Sequence, residues 1–97
     1  MLSRLTISLA VALASCSAVA AVVCGVCAPT ISVGGTTRHL TLATQEAKND
    51  LQCSYDGPAI SGFAASCLYR NSDGVLIFGT AGNACPDPIH IVTKSSC

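Results

Sequence analysis

Seven cysteines in a 97-residue chain constrain this fold more than any other feature. In a short exported chain such density reads as a set of disulfide staples formed in an oxidising compartment. The N-terminus carries the matching export signal. Met1–Arg4 is a short basic region, Leu5–Ala14 is an apolar run of ten residues, and Ser15–Ala21 supplies small residues at the −3 and −1 positions of a cleavage site. Cleavage after Ala20 or Ala21 fits best, with Ala18/Ala20 or Val19/Ala21 as the small pair. The chain thus divides into a signal peptide, residues 1–20, and a secreted cysteine-rich domain, residues 21–97. Cys16 leaves with the signal, and Cys24, Cys27, Cys53, Cys67, Cys85 and Cys97 remain. Six cysteines pair completely, in any of about 15 connectivities.

Two rival readings of the N-terminus stand beside this one. Leu5–Ala28 is 24 mostly apolar residues without a charge, long enough to span a membrane if left uncleaved. The polar break Ser15-Cys16-Ser17 weighs against that anchor. Leu13-Ala-Ser-Cys16 also has the outline of a lipoprotein signal, but the apolar SAVAAVVCGV follows it where a polar tether is expected. Membrane contact is expected only if the N-terminal segment stays attached.

After cleavage about 77 residues remain, with Arg38, Lys48, Arg70 and Lys94 against five acids, a net charge of −1. The basic residues are scattered, which excludes the clustered footprint of a nucleic-acid binder. The same balance excludes a cationic membrane-active peptide. A domain this small buries only about 60% of its unfolded surface. Three disulfides at ~2–4 kcal/mol each supply the missing stability.

The periodicities predict a small all-β fold, a disulfide-stapled antiparallel sheet of about four or five short strands. Ala21–Gly35 is apolar but broken by Gly25, Pro29 and Gly34-Gly35, so it reads as extended chain ending at a turn. Thr36–Thr44 alternates, with Leu40 and Leu42 assigned to one face and His39 and Thr41 to the other. Gln45–Asp50 is a loop or a single helical turn. Leu51, Cys53 and Tyr55 share a face, and Asp56-Gly57-Pro58 closes that strand. Phe63–Arg70 is the next strand, with Cys67 and Tyr69 on one side and Leu68 and Arg70 on the other. Asn71-Ser-Asp-Gly74 then forms a four-residue hairpin connection to Val75–Phe78. Cys85-Pro-Asp-Pro88 is a rigid corner, and Ile89–Thr93 is a short last strand.

No catalytic, cofactor or metal site emerges. Cys24-Gly-Val-Cys27 has the spacing of a thiol oxidoreductase, but Pro29 and Gly34-Gly35 follow instead of the helix that would activate a thiolate. Structural disulfides to distant partners are expected there. The later cysteines are separated by 25, 13, 17 and 11 residues, which supplies no second zinc knuckle. His39 and His90 stand alone. No Gly-x-Ser-x-Gly elbow is present, and the chain is read as a non-enzyme.

Cys53–Pro86 gathers three cysteines, both tyrosines and both phenylalanines, and reads as scaffold. Cys53-Ser-Tyr55 and Cys67-Leu-Tyr69 repeat a Cys-x-Tyr unit, which suits aromatic packing against disulfides in a small core. The turns this scaffold holds still are the candidate recognition elements: Asp56, Gly57 and Pro58, and Asn71, Asp73 and Gly74. The signal peptide, the two Cys-x-Tyr units, the turn at Gly74 and the Cys85-Pro86 corner resemble fungal small secreted cysteine-rich proteins. The resemblance runs mainly from Leu40 to Pro86. It implies an effector-like protein that binds an extracellular protein or surface of unknown identity. A first alternative is a small inhibitor of a secreted enzyme, presenting Gly57–Ala64 or Gly79–Ala84 as a cysteine-framed loop. A thiol oxidoreductase acting through Cys24 and Cys27 is the second.

Overall fold

A computed structural model of the chain describes residues 20–97. The predicted signal helix and Cys16 lie outside the described residues. What is described is all-β: β1 (Val22–Gly25), β2 (Thr30–Val33), β3 (Thr36–Glu46), β4 (Asp50–Ile60), β5 (Phe63–Arg70), β6 (Leu76–Gly79) and β7 (Ile91–Lys94). Short 3-10 turns occupy Ala47–Asn49 and Gly82–Ala84. Strands β2 to β6 form one antiparallel sheet in sequence order, and β1 pairs with β7 in a second, two-stranded sheet. The main sheet has five strands, as expected for a sheet of about four or five, and β1 and β2 stand beyond the strands named from the sequence. The extra ones come from the apolar lead-in, whose Gly34-Gly35 turn folds β2 back on β3. No helix among the described residues is long and apolar enough to cross a membrane.

The central hairpin β4–β5 follows the alternation in the sequence. Leu51, Cys53 and Tyr55 lie opposite Tyr69, Cys67 and Ala65, and all six are buried. Cys27, Ile31, Cys85 and Ile89 close over this face from the flanking segments. The disulfides join Cys27 to Cys53, Cys67 to Cys85 and Cys24 to Cys97. Cys24 and Cys27 are thus each bonded to a distant partner and not to each other. Three bridges in so small a chain mark folding in an oxidising compartment.

The repeated Cys-x-Tyr unit is now explained by geometry. Cys53 holds Cys27, and the Tyr55 hydroxyl donates to the carbonyl of the next residue, Ala28, at 2.7 Å. Cys67 holds Cys85, and the Tyr69 hydroxyl donates to the carbonyl of Pro86 at 2.8 Å. Each unit clamps a Cys-x dipeptide twice, once covalently and once through a buried hydrogen bond. The 14-residue spacing is the spacing that sets Cys53 opposite Cys67 across the hairpin.

One expected face and two expected boundaries shift, each for a local reason. Leu40 and Leu42 do not share a face: a bulge between them adds a residue and reverses the alternation. Leu40 stays half-buried while Leu42 is 59% exposed. Asp56-Gly57-Pro58 does not end β4. The ladder to β5 lapses after Tyr55 and resumes at Ile60 opposite Phe63, so Pro58 sits where its missing N–H costs nothing. The last strand starts at Ile91, since the Ile89 N–H is taken by the Gly74 carbonyl at 2.9 Å and not by β1.

Candidate recognition surface

The two turns singled out in the sequence have different fates. Asn71 is fully buried. Its side-chain oxygen accepts from Gly25 N–H at 2.9 Å, and its amide donates to Gln45 Oε1 at 2.6 Å and to the Asn49 carbonyl at 3.2 Å. It ties β1 to the β3–β4 turn and is unavailable to a partner. Gly74 is buried as well. Its φ of 74° favours glycine, and a Cβ there would lie 2.5 Å from the Ile89 carbonyl oxygen. Asp73 is exposed but engaged: Arg70 grips both carboxylate oxygens, at 3.2 and 2.8 Å, and Val75 N–H donates at 3.1 Å. The Arg70 hydrogen bond, helped by Val75, holds the Asp73 carboxyl below its ordinary range and raises the Arg70 guanidinium further. Asn71 and Gly74 therefore serve as a structural joint, and Asp73 is the one candidate recognition residue of this turn that reaches the surface.

Asp56–Pro58 stays at the surface and is braced from within. Arg38 is only 7% exposed, and its Nη1 donates to the carbonyls of Asp56 (3.3 Å) and Pro58 (2.7 Å). Gly57 makes room for it, since a Cβ at that position would lie 3.2 Å from the guanidinium. On the outside, His39 N–H donates to Asp56 Oδ1 at 2.8 Å, and its ring stands 3.5 Å from Oδ2. The Arg38 Nε–H is buried without a hydrogen-bond partner among the described residues. One cation thus fixes the irregular arm of the β4–β5 hairpin. Beyond it Ser61 and Gly62, both left-handed (φ 52° and 85°), make the two-residue tip.

The chain's two phenylalanines are both on the outside. Phe63, beside that tip, is 66% exposed, and Phe78 on β6 is 65% exposed. Parity places Phe63 with Ala65, Cys67 and Tyr69, but it lies past the end of the material that covers the core face. Phe78 lies opposite Leu68 on the solvent side of the sheet, because a register shift in β5–β6 absorbs Ile77. Sequence reasoning counted both as scaffold. The one signal for Phe63 was its place directly after a turn.

Two open clefts flank β1. One, about 580 Å³, is lined by Val22, Val23, Asn49, Ser72 and Ser95–Cys97. The other, about 330 Å³, runs between Gly25–Cys27, Lys94 and the core-facing side of β3 at Leu40, Ala43 and Gln45. Neither gathers titratable groups. Among the described residues no cluster of three or more His, Cys, Asp or Glu is placed to hold a metal ion. No protein-family model, no curated protein and no solved structure matches the chain.

Proposed function

We propose that this is a secreted binding protein, effector-like in kind, which recognises an extracellular partner through aromatic side chains carried on a disulfide-locked sheet. The observation that carries the reading is the inverted use of aromatics. Tyrosines and cystines fill the core, while both phenylalanines face solvent. Exposed aromatics on a rigid frame are the usual anchors of a protein interface, because they bury much area at small cost in side-chain entropy. The outline shared with fungal small secreted cysteine-rich proteins points the same way.

Export and binding are tested separately. Intact mass of the exported protein should show loss of about 20 residues and of six hydrogens; a retained N-terminus sinks the secreted form. For binding, immobilised mature protein is compared with Phe63→Asp and Phe78→Asp variants against extracellular proteins and surfaces. A partner held by the wild type and lost by a variant that melts at the same temperature supports the reading. Identical capture by all three refutes it.

A second reading is favoured by one observation, the Arg38 brace beneath the Asp56–Ala64 hairpin. A preorganised, exposed loop ending in an aromatic residue suits an inhibitor of a secreted protease that cleaves after aromatic residues. Its assay is inhibition of such an enzyme. Rapid cleavage after Phe63, or no effect on the enzyme, removes it.

A further inference from the structure

We infer that Arg38 carries an oxyanion-binding site: the Nε–Nη2 edge of its guanidinium, which the protein does not use, takes a carboxylate. That the carboxylate belongs to the extracellular partner rests on the binding reading above, while the site itself does not. The exposed phenylalanines are thereby joined by a charged contact.

Arg38 is a buried cation without a counter-charge. It lies opposite Ile31, itself buried, and is only 7% exposed. The ion pairs among the described residues join His39 to Asp56 and Arg70 to Asp73, and neither involves Arg38. The Asp56 carboxylate is on the outside, held by the His39 N–H and ring. Arg38 has two carbonyls instead, both on Nη1. Neutral acceptors on one nitrogen leave most of the guanidinium charge unmatched, and a buried charge is costly until it is paired.

The unused edge has the geometry of a carboxylate fork. Nε–H is buried with no partner among the described residues. Nη2 makes no hydrogen bond among them either, but it is not sealed off as Nε is, so the edge opens to solvent at Nη2. These two nitrogens donate in parallel and match the two oxygens of a carboxylate. The other arginine of the mature domain shows the pairing. Arg70 grips Asp73 by this same edge, Nε to Oδ1 at 3.2 Å and Nη2 to Oδ2 at 2.8 Å. Arg38 presents the same edge, held in place from Nη1.

The fork is also preorganised and within reach. The carbonyls of Asp56 and Pro58 fix the guanidinium, and Gly57 lies against it, where a Cβ would come within 3.2 Å of Cζ, Nε and Nη1. Little side-chain freedom is then left to lose on binding. The cover on this side of the sheet ends here: Gly57, Pro58 and Ala59 on β4 and Phe63 on β5 are exposed. Pro58 stands two residues from Ile60, which pairs with Phe63, so an aromatic ring borders the same end of the sheet. The site has a single cation, since Lys48 lies in the turn at the far end of β4 and Lys94 on β7. One planar fork beside an apolar ring suits one carboxylate on an apolar body, whereas a polyanion needs several cations together.

The test follows the arginine Nε–H signals of isotope-labelled mature protein by NMR, with all three disulfides intact. Residues 21–97 hold two arginines, Arg38 and Arg70, so two signals are expected, and Arg70→Lys at its exposed position identifies them by removing one. The titration itself uses the wild type, so no outcome depends on whether an Arg38 variant folds. A small probe also keeps this site apart from partner capture, which can fail while the site stands or survive its loss. Sodium phenylacetate, a carboxylate on an aromatic body, is compared with sodium chloride at equal ionic strength. The Arg38 signal should move saturably, with half-saturation at about 1–10 mM, while the Arg70 signal, already engaged with Asp73, stays in place. Equal movement of both signals, the same movement with chloride, or no saturable movement up to about 50 mM would each overturn the inference. Tighter binding of sodium sulfate than of phenylacetate would overturn the assignment to a carboxylate.

Discussion

The buried amide of Asn71 offers the sharpest test of how the two sheets are joined. Asn71→Ala removes an acceptor from Gly25 N–H and a donor from Gln45 and Asn49. Each hydrogen bond is worth about 1 kcal/mol net, and an orphaned buried donor costs about 1–3 kcal/mol. Gln45 and Asn49 are exposed and regain water, so the cost rests mainly on Gly25 and the cavity, about 2–3 kcal/mol. In a domain this size that lowers the melting temperature by about 10–20 °C. Asn71→Asp keeps the shape and the bond to Gly25 but turns a carboxylate oxygen toward Gln45 Oε1 and toward the carbonyl and Oδ1 of Asn49, all acceptors. At neutral pH it should therefore cost more than alanine, about 4 kcal/mol. Protonation restores one donor. The folded pKa of that carboxyl then lies above its unfolded value of about 3.9. The variant's stability is greatest below that value and is lost as pH rises through the folded one. Urea unfolding of both variants, disulfides intact, at neutral and acid pH reads this directly. If aspartate is no worse than alanine at neutral pH, or gains nothing on acidification relative to wild type, the hydrogen-bonding role assigned to Asn71 is wrong.

Other consequences follow from the same geometry. Burial raises both tyrosine phenols above the ordinary value of about 10; for Tyr69 the charges of Tyr55 and Asp87 add to the effect. Their contribution is intact below pH about 10 and is lost as pH rises toward the folded values; a spectrophotometric titration should show two phenols ionising late and together with unfolding. Tyr69→Phe strands the Pro86 carbonyl and should cost about 1–2 kcal/mol in denaturant unfolding. Gly74→Ala must displace the Ile89 backbone as well as hold a left-handed φ, so its cost should be about 3 kcal/mol rather than the roughly 1 kcal/mol of backbone conformation alone. Limited reduction should open Cys24–Cys97 first, since Cys97 is exposed while Cys53 and Cys67 have no accessible surface; mass mapping of alkylated thiols would show it, and early loss of Cys67–Cys85 would contradict it.

The alternation of Leu51, Cys53 and Tyr55 and of Cys67 and Tyr69 made the central hairpin legible, because burial on one face leaves a period of two in the sequence. Phe63–Arg70 was read to its ends, since a glycine bounds it on one side and a polar turn on the other. What failed to show depends on position in space. A bulge such as that between Leu40 and Leu42 leaves no compositional mark, yet it inverts every later side chain. Asn71 reads as a turn residue because Asn-Ser-Asp-Gly is turn-like. Its burial arises from β1 and the Ala47–Asn49 turn, both distant in sequence, closing around it. Arg38 sits in an alternating run whose parity was read correctly for its neighbours, but nothing local announces that a guanidinium lies inside to hold Asp56–Pro58. Neither phenylalanine had a face assigned from the sequence: hydrophobicity predicts only an average tendency to be buried, and here cystines and tyrosines fill the core.

That substitution of cystine for aliphatic core has a functional corollary. A 77-residue domain held by ordinary packing needs most of its large apolar side chains inside. Here Cys27–Cys53 and Cys67–Cys85, stacked beside Tyr55 and Tyr69, fill the centre of the sheet. They also limit the entropy of the unfolded chain, so that part of the stability does not depend on native contacts at all. Phe63, Phe78 and Leu42 are thereby released from the core, and their replacement by polar residues should change stability within about 0.5 kcal/mol. The surface of such a protein can diversify while the frame stays fixed. In the proposed reading, aromatic recognition and folding fall to different residues, so the phenylalanine variants should melt with the wild type while losing the partner.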